Sequence, residues 1–139
     1  MSWANIKLSE ISTTVELLPE KTFTLELTPG AKLNDFGGIQ AAGRVVDSDE
    51  FNGRLVFFSY PDPESLSKEG KLQSWSSVAF KRLVQALGVD MEGDDEDKVA
   101  YLNRAAGNRF VGTIKHGKVT DEYPVPRANL QLLNVRPAA

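Results

Sequence analysis

Alternation of apolar and polar residues predicts three strands in the first half of the chain. The segment KTFTLELT, residues 21–28, alternates phenylalanine and leucine with threonine and glutamate, which is the period of two expected of a half-buried strand. A second strand, IQAAGRVVD, follows at 39–47. The third, FNGRLVFFSYP at 51–61, follows a turn at Asn52-Gly53, a pair typical of hairpin turns. The three segments therefore form a predicted meander.

The third strand is unusual because both of its faces are apolar. Leu55, Phe57 and Ser59 fall on one side, and Arg54, Val56, Phe58 and Tyr60 fall on the other. We expect the side with Phe57 to line the interior and the other side to present the rings of Phe58 and Tyr60 to a ligand. The alternative is a helix lying over that second side, which would bury both rings.

The second half of the chain changes from a helical to a strand pattern. Apolar residues recur at helical spacing in WSSVAFKRLVQALGV, with Ser74 or Ser76 as candidate N-caps and Gly88 as the stop. A shorter helix is predicted in DKVAYLNRAAGN. Two strands follow, RFVGTIKHGKV at 109–119 and NLQLLNVRP at 129–137, separated by the proline-containing extended segment EYPVPRA.

Five strands with helices between the third and the fourth is the order of an OB-fold, a five-stranded Greek-key barrel that binds oligonucleotides on the face of its strands 2 and 3. The sequence therefore predicts a mainly β fold, a β-barrel with a helical insertion at about 74–107. Residues 1–16 are expected to be a leader, and 17–139 a single OB-fold-like domain.

Composition excludes several chemistries. The chain has no cysteine, which excludes disulfides, thiol catalysis and thiolate metal ligands. Its single histidine, His116, has no sequence-adjacent metal partner, and there is neither a phosphate-binding glycine loop nor a nucleophile elbow. We therefore expect no enzyme activity, no metal and no cofactor. No apolar run reaches membrane-spanning length, and a cytoplasmic location is expected, without membrane association.

Charge is unevenly distributed although the net charge is only −3. Residues 90–97, DMEGDDED, contain six acids and no base, whereas the chain from Lys98 onward contains seven lysines or arginines against Asp121 and Glu122. A basic last third beside an acidic segment favours a polyanion-binding surface. The alternative for the acidic segment is an ordinary solvated loop.

Single-strand binding requires cations that contact phosphates and aromatic faces on which bases stack. Both types of residue occur on the predicted outer faces of the strands. The candidate nucleic-acid-binding residues are Arg44, Arg54, Phe58, Tyr60, Arg109, Lys115 and Lys118.

The succession of these segments, from LLPEKTFTLEL through GRVVD, FNGRLVFFSYP and WSSVAFKRLVQALGV to RFVGTIKHGK, resembles a set of small bacteriophage proteins. That set is similar to phage single-stranded DNA-binding proteins of the OB-fold type. The resemblance covers roughly residues 17–135, and its most specific parts are Gly53-Arg54 and the ALG that ends at Gly88. It implies a phage-encoded protein that binds single strands in replication or recombination, in the host cytoplasm. It departs from many such proteins in its last residues, NVRPAA, which are not acidic.

Two functions remain as hypotheses. The first is binding of single-stranded DNA, or alternatively RNA, without strict sequence preference. The second is a protein-interaction or virion-associated module whose partner is a phage or host protein or a second copy of the chain. Homo-oligomerisation and contacts with phage or host replication or recombination proteins are further expected partner interactions. Convergence of Arg44, Arg54 and Lys115 around the exposed rings favours the first, and acids around those rings favour the second.

Overall fold

The protein is mainly β with two helices, as the sequence predicts. The computed structural model describes residues 17–117 and 127–138. Its strands are β1 (Thr22–Leu27), β2 (Lys32–Leu33), β3 (Ile39–Val45), β4 (Leu55–Tyr60), β5 (Arg109–His116), β6 (Ala128–Leu130) and β7 (Arg136–Pro137). The helices α1 (Trp75–Leu87) and α2 (Lys98–Arg104) lie between β4 and β5 in the chain, and a 3-10 helix spans Leu132–Asn134.

The strands form one curled antiparallel sheet. Its order is β2-β3-β1-β5-β6, with β4 paired to β3 and β7 paired to β5. Strand β3 is hydrogen-bonded along both edges, to β1 and β2 on one side and to β4 on the other. At the far end of the order, β6 comes close to β4, so the sheet has a barrel-like curvature.

Two predicted segments differ from the observed strands. The predicted strand 129–137 is interrupted by the 3-10 helix, where the backbone N–H of Asn134 donates to the carbonyl of Gln131 at 3.0 Å. This turn lets β6 and β7 pair with successive parts of β5. Strand β2 lies in a segment predicted as a loop, because it pairs with the start of β3. Most of EYPVPRA, and the leader 1–16, lie outside the described residues.

The predicted turn at Gly53 and the predicted end of α1 at Gly88 are confirmed. Gly53 adopts a φ of +89° in the turn between β3 and β4, and its N–H donates to the carbonyl of Val45 at 2.8 Å. Gly88 ends α1 with a φ of +71°, the left-handed conformation that glycine adopts without steric cost. Ser74 is the N-cap residue of α1, although its side chain makes no cap hydrogen bond.

The assignment of the two faces of β4 is wrong. Phe58 and Tyr60 are 7% and 2% exposed, and Val56 is buried beside them, whereas Phe57 is 74% exposed. The cause is the packing of α1 against this face. The ring of Phe80, on α1, makes an edge contact with Tyr60 at a centroid distance of 5.4 Å. The hydrophobic core therefore includes the side of β4 that is predicted to face a ligand. This is the stated alternative for the strand, in which a helix lies over that side and buries both rings.

The acidic segment has a partly structural role. The Asp97 carboxylate accepts hydrogen bonds from the N–H groups of Val99 at 2.9 Å and Ala100 at 3.3 Å and so caps α2. Glu96 forms an ion pair with Arg104 at 2.9 Å. The hydrogen bond from that guanidinium, followed by one from the N–H of Glu92, lowers the pKa of Glu96.

Replacing Asp97 by alanine is expected to lower the free energy of unfolding by about 1 kcal/mol, the usual effect of losing an N-cap side chain. Urea denaturation followed by circular dichroism measures the change. Asp95→Ala is the matched control, because it removes an exposed carboxylate from the same segment. Equal effects of the two substitutions would show that net charge, and not the cap, is responsible.

No helix in the described ranges combines the length and apolarity needed to cross a bilayer.

Candidate nucleic-acid interface

The outer face of β3 and β4 carries an exposed aromatic ring next to a cation. Antiparallel pairing sets Ala42 opposite Phe57 and Arg44 opposite Leu55. The side chains of these four residues lie on one face of the sheet, since side chains on a strand alternate and directly paired residues share a face. Phe57 and Arg44 are diagonal neighbours on this face, at a Cα separation of about 7–8 Å.

These residues line an open cleft of about 440 Å³. Lys32 of β2 also lines it, because Lys32 is paired with Gln40 in the same phase of β3. Ala42 is buried in the cleft wall but is not part of the hydrophobic core cluster. The small side chain opposite Phe57 leaves the phenyl ring open to solvent, as an apolar surface in the same cleft as Lys32 and Arg44.

A row of charges crosses the sheet beside this cleft. Glu26 of β1 is paired with Arg44 on one side and with Arg109 on the other. The Arg109 Nε lies 3.5 Å from a Glu26 carboxylate oxygen, and the Arg109 side chain is 57% exposed. Glu26 therefore offsets one of the two positive charges through its ion pair with Arg109, and the strand register places Arg44 on its other side, so the row keeps a net positive charge.

Lys115 has the same strand phase as Arg109 but lies six positions further along β5, a separation of about 20 Å. It is close to Glu20, whose carboxylate accepts a hydrogen bond from the N–H of His116 at 2.9 Å. That hydrogen bond is the main cause of the lowered pKa of Glu20, and the charge of Lys115 lowers it further. Lys115 is therefore on the outer face but does not converge with the arginines.

The other predicted residues fall elsewhere. Arg54 is half-buried just before β4, and alternation puts it in phase with Val56 and not with Phe57. Phe58 and Tyr60 are in the core, so the prediction that their rings face a ligand is wrong. Lys118 lies outside the described residues. Of the seven predicted residues, Arg44 and Arg109 are thus brought together.

Sequence reasoning missed Phe57, Lys32 and a second exposed ring, Phe36. Phe36 is 90% exposed at the tip of the β2–β3 hairpin. The side-chain oxygen of Asn34 holds this tip by accepting hydrogen bonds from the N–H groups of Phe36 at 2.9 Å and Gly38 at 2.8 Å.

One signal for the phase of β4 was present in the sequence. Ser59 shares its side with Phe57, and a serine is more often found at a solvated position than in a barrel interior. The two rings and the valine on the other side form the more apolar face, which is the one expected to be buried.

Comparison of the sequence with protein-family models finds no match, and comparison with curated proteins also finds none.

Proposed function

We propose that this protein binds single-stranded DNA on the outer face of β3 and β4, without strict sequence preference. The observation that carries the proposal is the ring of Phe57, which is 74% exposed on a strand surface, is a diagonal neighbour of Arg44 and lines the same cleft as Lys32. A base stacks on such a ring whatever its identity, because every base has a π-face, while neighbouring cations contact the phosphates.

The charge pattern supports a polyanionic ligand. Five cationic residues of the described strands have side chains on the outer face of the sheet. Glu26 is the one acidic residue of these strands on that face. The cations are Lys32, Arg44, Arg109, Lys115 and Arg136. An arginine that retains solvent exposure can present its planar guanidinium to a phosphate.

We also propose that the sheet is an OB-type Greek-key barrel. In support of this, the order β1, β3, β4, helices, β5, β6 matches the order of the five OB strands, and β6 comes close to β4 as closure of such a barrel requires. The ligand face of that fold is formed by its second and third strands. Here those strands are β3 and β4, which carry Arg44 and Phe57. A phage origin and a role in replication or recombination follow from the resemblance and belong to the same proposal.

Fluorescence anisotropy with labelled oligothymidine and with a duplex of equal length tests the function. We expect preference for the single strand and an affinity that falls linearly with salt on a log–log plot, with a slope of about −0.7 for each phosphate contact. Absence of binding at low salt would falsify the proposal.

Arg44→Gln is expected to weaken oligothymidine binding by about three- to tenfold at low salt and to reduce the salt slope by about 0.7–1, as the loss of one phosphate contact implies. Lys71→Gln is the control, since Lys71 is exposed in the β4–α1 connection, away from the cleft. If both variants lose the same affinity, the effect comes from net charge and Arg44 makes no contact.

A second candidate function is a protein-interaction module. It is favoured by a separate group of exposed apolar residues at and before the start of α1: Leu66, Leu72, Trp75 and Val78. Chemical cross-linking followed by gel filtration, with the purified protein alone and with host extract, distinguishes this function from nucleic-acid binding. A discrete adduct lost in a Trp75→Ala, Val78→Ala double variant, together with no oligonucleotide binding, would favour this second function.

A further inference from the structure

Exposed apolar side chains gather around the N-terminal end of α1. Nine large apolar side chains are exposed in the part of the chain that the structure describes, and five of them form what we call the α1 surface: Leu66, Leu72, Trp75, Val78 and Leu133. An antiparallel bridge joins Leu66 to Leu72, and directly paired residues share a face. The Arg82 guanidinium, one turn beyond Val78 on α1, donates to the carbonyl of Leu133 at 2.6 Å. Apolar residues exposed together in this way mark interaction surfaces.

The exposed side of α1 changes from apolar to polar along its length. Trp75 and Val78 are followed on the same side by Arg82 and Gln85, which are also exposed, at the three- and four-residue spacing of one helix face. The opposite side of α1, which includes Phe80, is part of the hydrophobic core. The exposed side is therefore free to pack against a second helix, and an antiparallel helix of the same sequence would place Arg82 and Gln85 beside Val78 and Trp75.

Opposite charges lie at the two ends of α1. Residues 64–89 contain four cations and two acids, and residues 70–89 contain no acid. Residues 90–97, directly after α1, contain six acids and no base. The length of α1, about 20 Å for its 13 residues, separates the two groups. One end of the helix is therefore positive and apolar, and the other end is negative.

The acidic segment is fixed in place and leaves carboxylates available. Glu96 is paired with Arg104 at 2.9 Å, and Asp97 caps α2. The other four acids of the segment are exposed and form no ion pair within residues 17–117 and 127–138: Asp90, Glu92, Asp94 and Asp95. Because its last two acids hold the segment at the C-terminal end of α1, the free carboxylates lie far from the positive end of the same helix. They are available to the positive end of another molecule.

We propose that the protein forms a two-fold symmetric dimer in which two α1 helices pack antiparallel through the α1 surface. Two-fold dimers are the commonest homo-oligomers, and a surface that is positive and apolar at one end and negative at the other is complementary to its own rotated copy. Antiparallel packing covers Trp75 and Val78 with the exposed side of the partner's helix. It also brings Lys71, four residues before α1, close to the partner's Asp90, which follows α1.

This inference rests on the second candidate function, to which it gives a partner, and not on DNA binding. The helix α1 packs on the side of β4 that carries Tyr60, as the contact between Phe80 and Tyr60 shows. Phe57 has the opposite strand phase and lies on the outer face. Dimerisation through α1 therefore leaves the outer face of β3 and β4 open.

Sedimentation equilibrium of the full chain, without nucleic acid, tests the proposal. We expect a monomer–dimer equilibrium that shifts toward monomer as salt is raised, because salt screens exposed ion pairs. Val78→Lys places a cation in the contact beside the partner's Arg82 and is expected to raise the dimer dissociation constant at least about tenfold. Leu33→Lys is the matched control, since Leu33 is also an exposed apolar residue, lies on β2 and gains the same charge.

An exchange of charges tests the antiparallel orientation. Lys71→Glu and Asp90→Lys are each expected to weaken the dimer by about three- to tenfold, because each change is repeated at two symmetric contacts. The variant with both changes restores opposite charges across the contact and is expected to recover most of the dimer affinity.

Three results would each overturn the proposal: a chain that stays monomeric at every concentration, equal effects of Val78→Lys and Leu33→Lys, or no recovery in the variant with exchanged charges. Circular dichroism of every variant checks that the fold is retained. Oligothymidine binding is titrated separately on the same samples. Failure of the DNA-binding function is then distinguished from failure of the dimer.

Discussion

Replacing Phe57 by alanine is expected to weaken binding to single-stranded oligothymidine by about 5- to 150-fold, because a base stacked on an aromatic ring contributes about 1–3 kcal/mol. The stability of the fold is expected to change little, since the ring is mostly exposed and Ala42 lies opposite it. Anisotropy titrations at one fixed salt concentration measure the affinity, and thermal denaturation measures the stability.

Two further variants separate stacking from general apolar contact. Phe57→Trp retains a π-face and is expected to keep most of the affinity or improve it. Leu55→Ala removes an exposed apolar side chain from the same face of β4 and is expected to have a much smaller effect than Phe57→Ala. If Leu55→Ala and Phe57→Ala lose the same affinity, bases do not stack on this ring.

The neighbouring substitution, Phe58→Ala, is expected to lower the free energy of unfolding by about 3–5 kcal/mol, the usual range for truncating a buried phenylalanine. The Phe58 ring makes edge contacts with Tyr60 at a centroid distance of 5.8 Å and with Phe110 at 6.2 Å. Truncation would leave a cavity between the sheet strands that these rings connect. Urea denaturation followed by tryptophan fluorescence and circular dichroism measures the loss, which is a large part of a typical domain stability of about 5–15 kcal/mol.

Phe58→Leu serves as the control for this prediction, because it keeps an apolar side chain and is expected to retain more than half of the stability that alanine loses. The comparison with Phe57→Ala matters most. Although the two residues are adjacent in one strand, Phe57→Ala should lower the affinity with little change in stability, and Phe58→Ala should lower the stability. Comparable destabilisation by both alanine variants would contradict the assignment of the two faces of β4.

Features of this fold that depend on neighbouring residues in the chain could be predicted from the sequence. The turn at Gly53, the end of α1 at Gly88 and the interior face of β1 all follow from local backbone preference or from alternation. The phase of β4 could not be read from alternation alone, because both of its faces are apolar. Arg54 made the wrong face look polar, although it precedes the first residue of the strand.

The site was harder to predict because it depends on pairing between distant segments. Arg44 and Arg109 are 65 positions apart in the chain, and only the registers of β1 with β3 and with β5 bring them to either side of Glu26. Lys32 reaches the cleft through a two-residue strand, which is too short to give an alternating pattern. Sequence reasoning therefore found the types of residue involved but not the ring that faces solvent.

The position of β3 inside the sheet has a consequence for the thermodynamics of binding. Gln40, Ala42 and Arg44 project from a backbone that is hydrogen-bonded on both edges, and such central strands are the last to open in native-state amide exchange. A nucleic acid strand that binds to this surface therefore contacts a rigid part of the sheet. The entropy lost on binding then falls mainly on the flexible ligand, with little reorganisation of the protein, so the affinity should depend more on the flexibility of the oligonucleotide than on that of the protein.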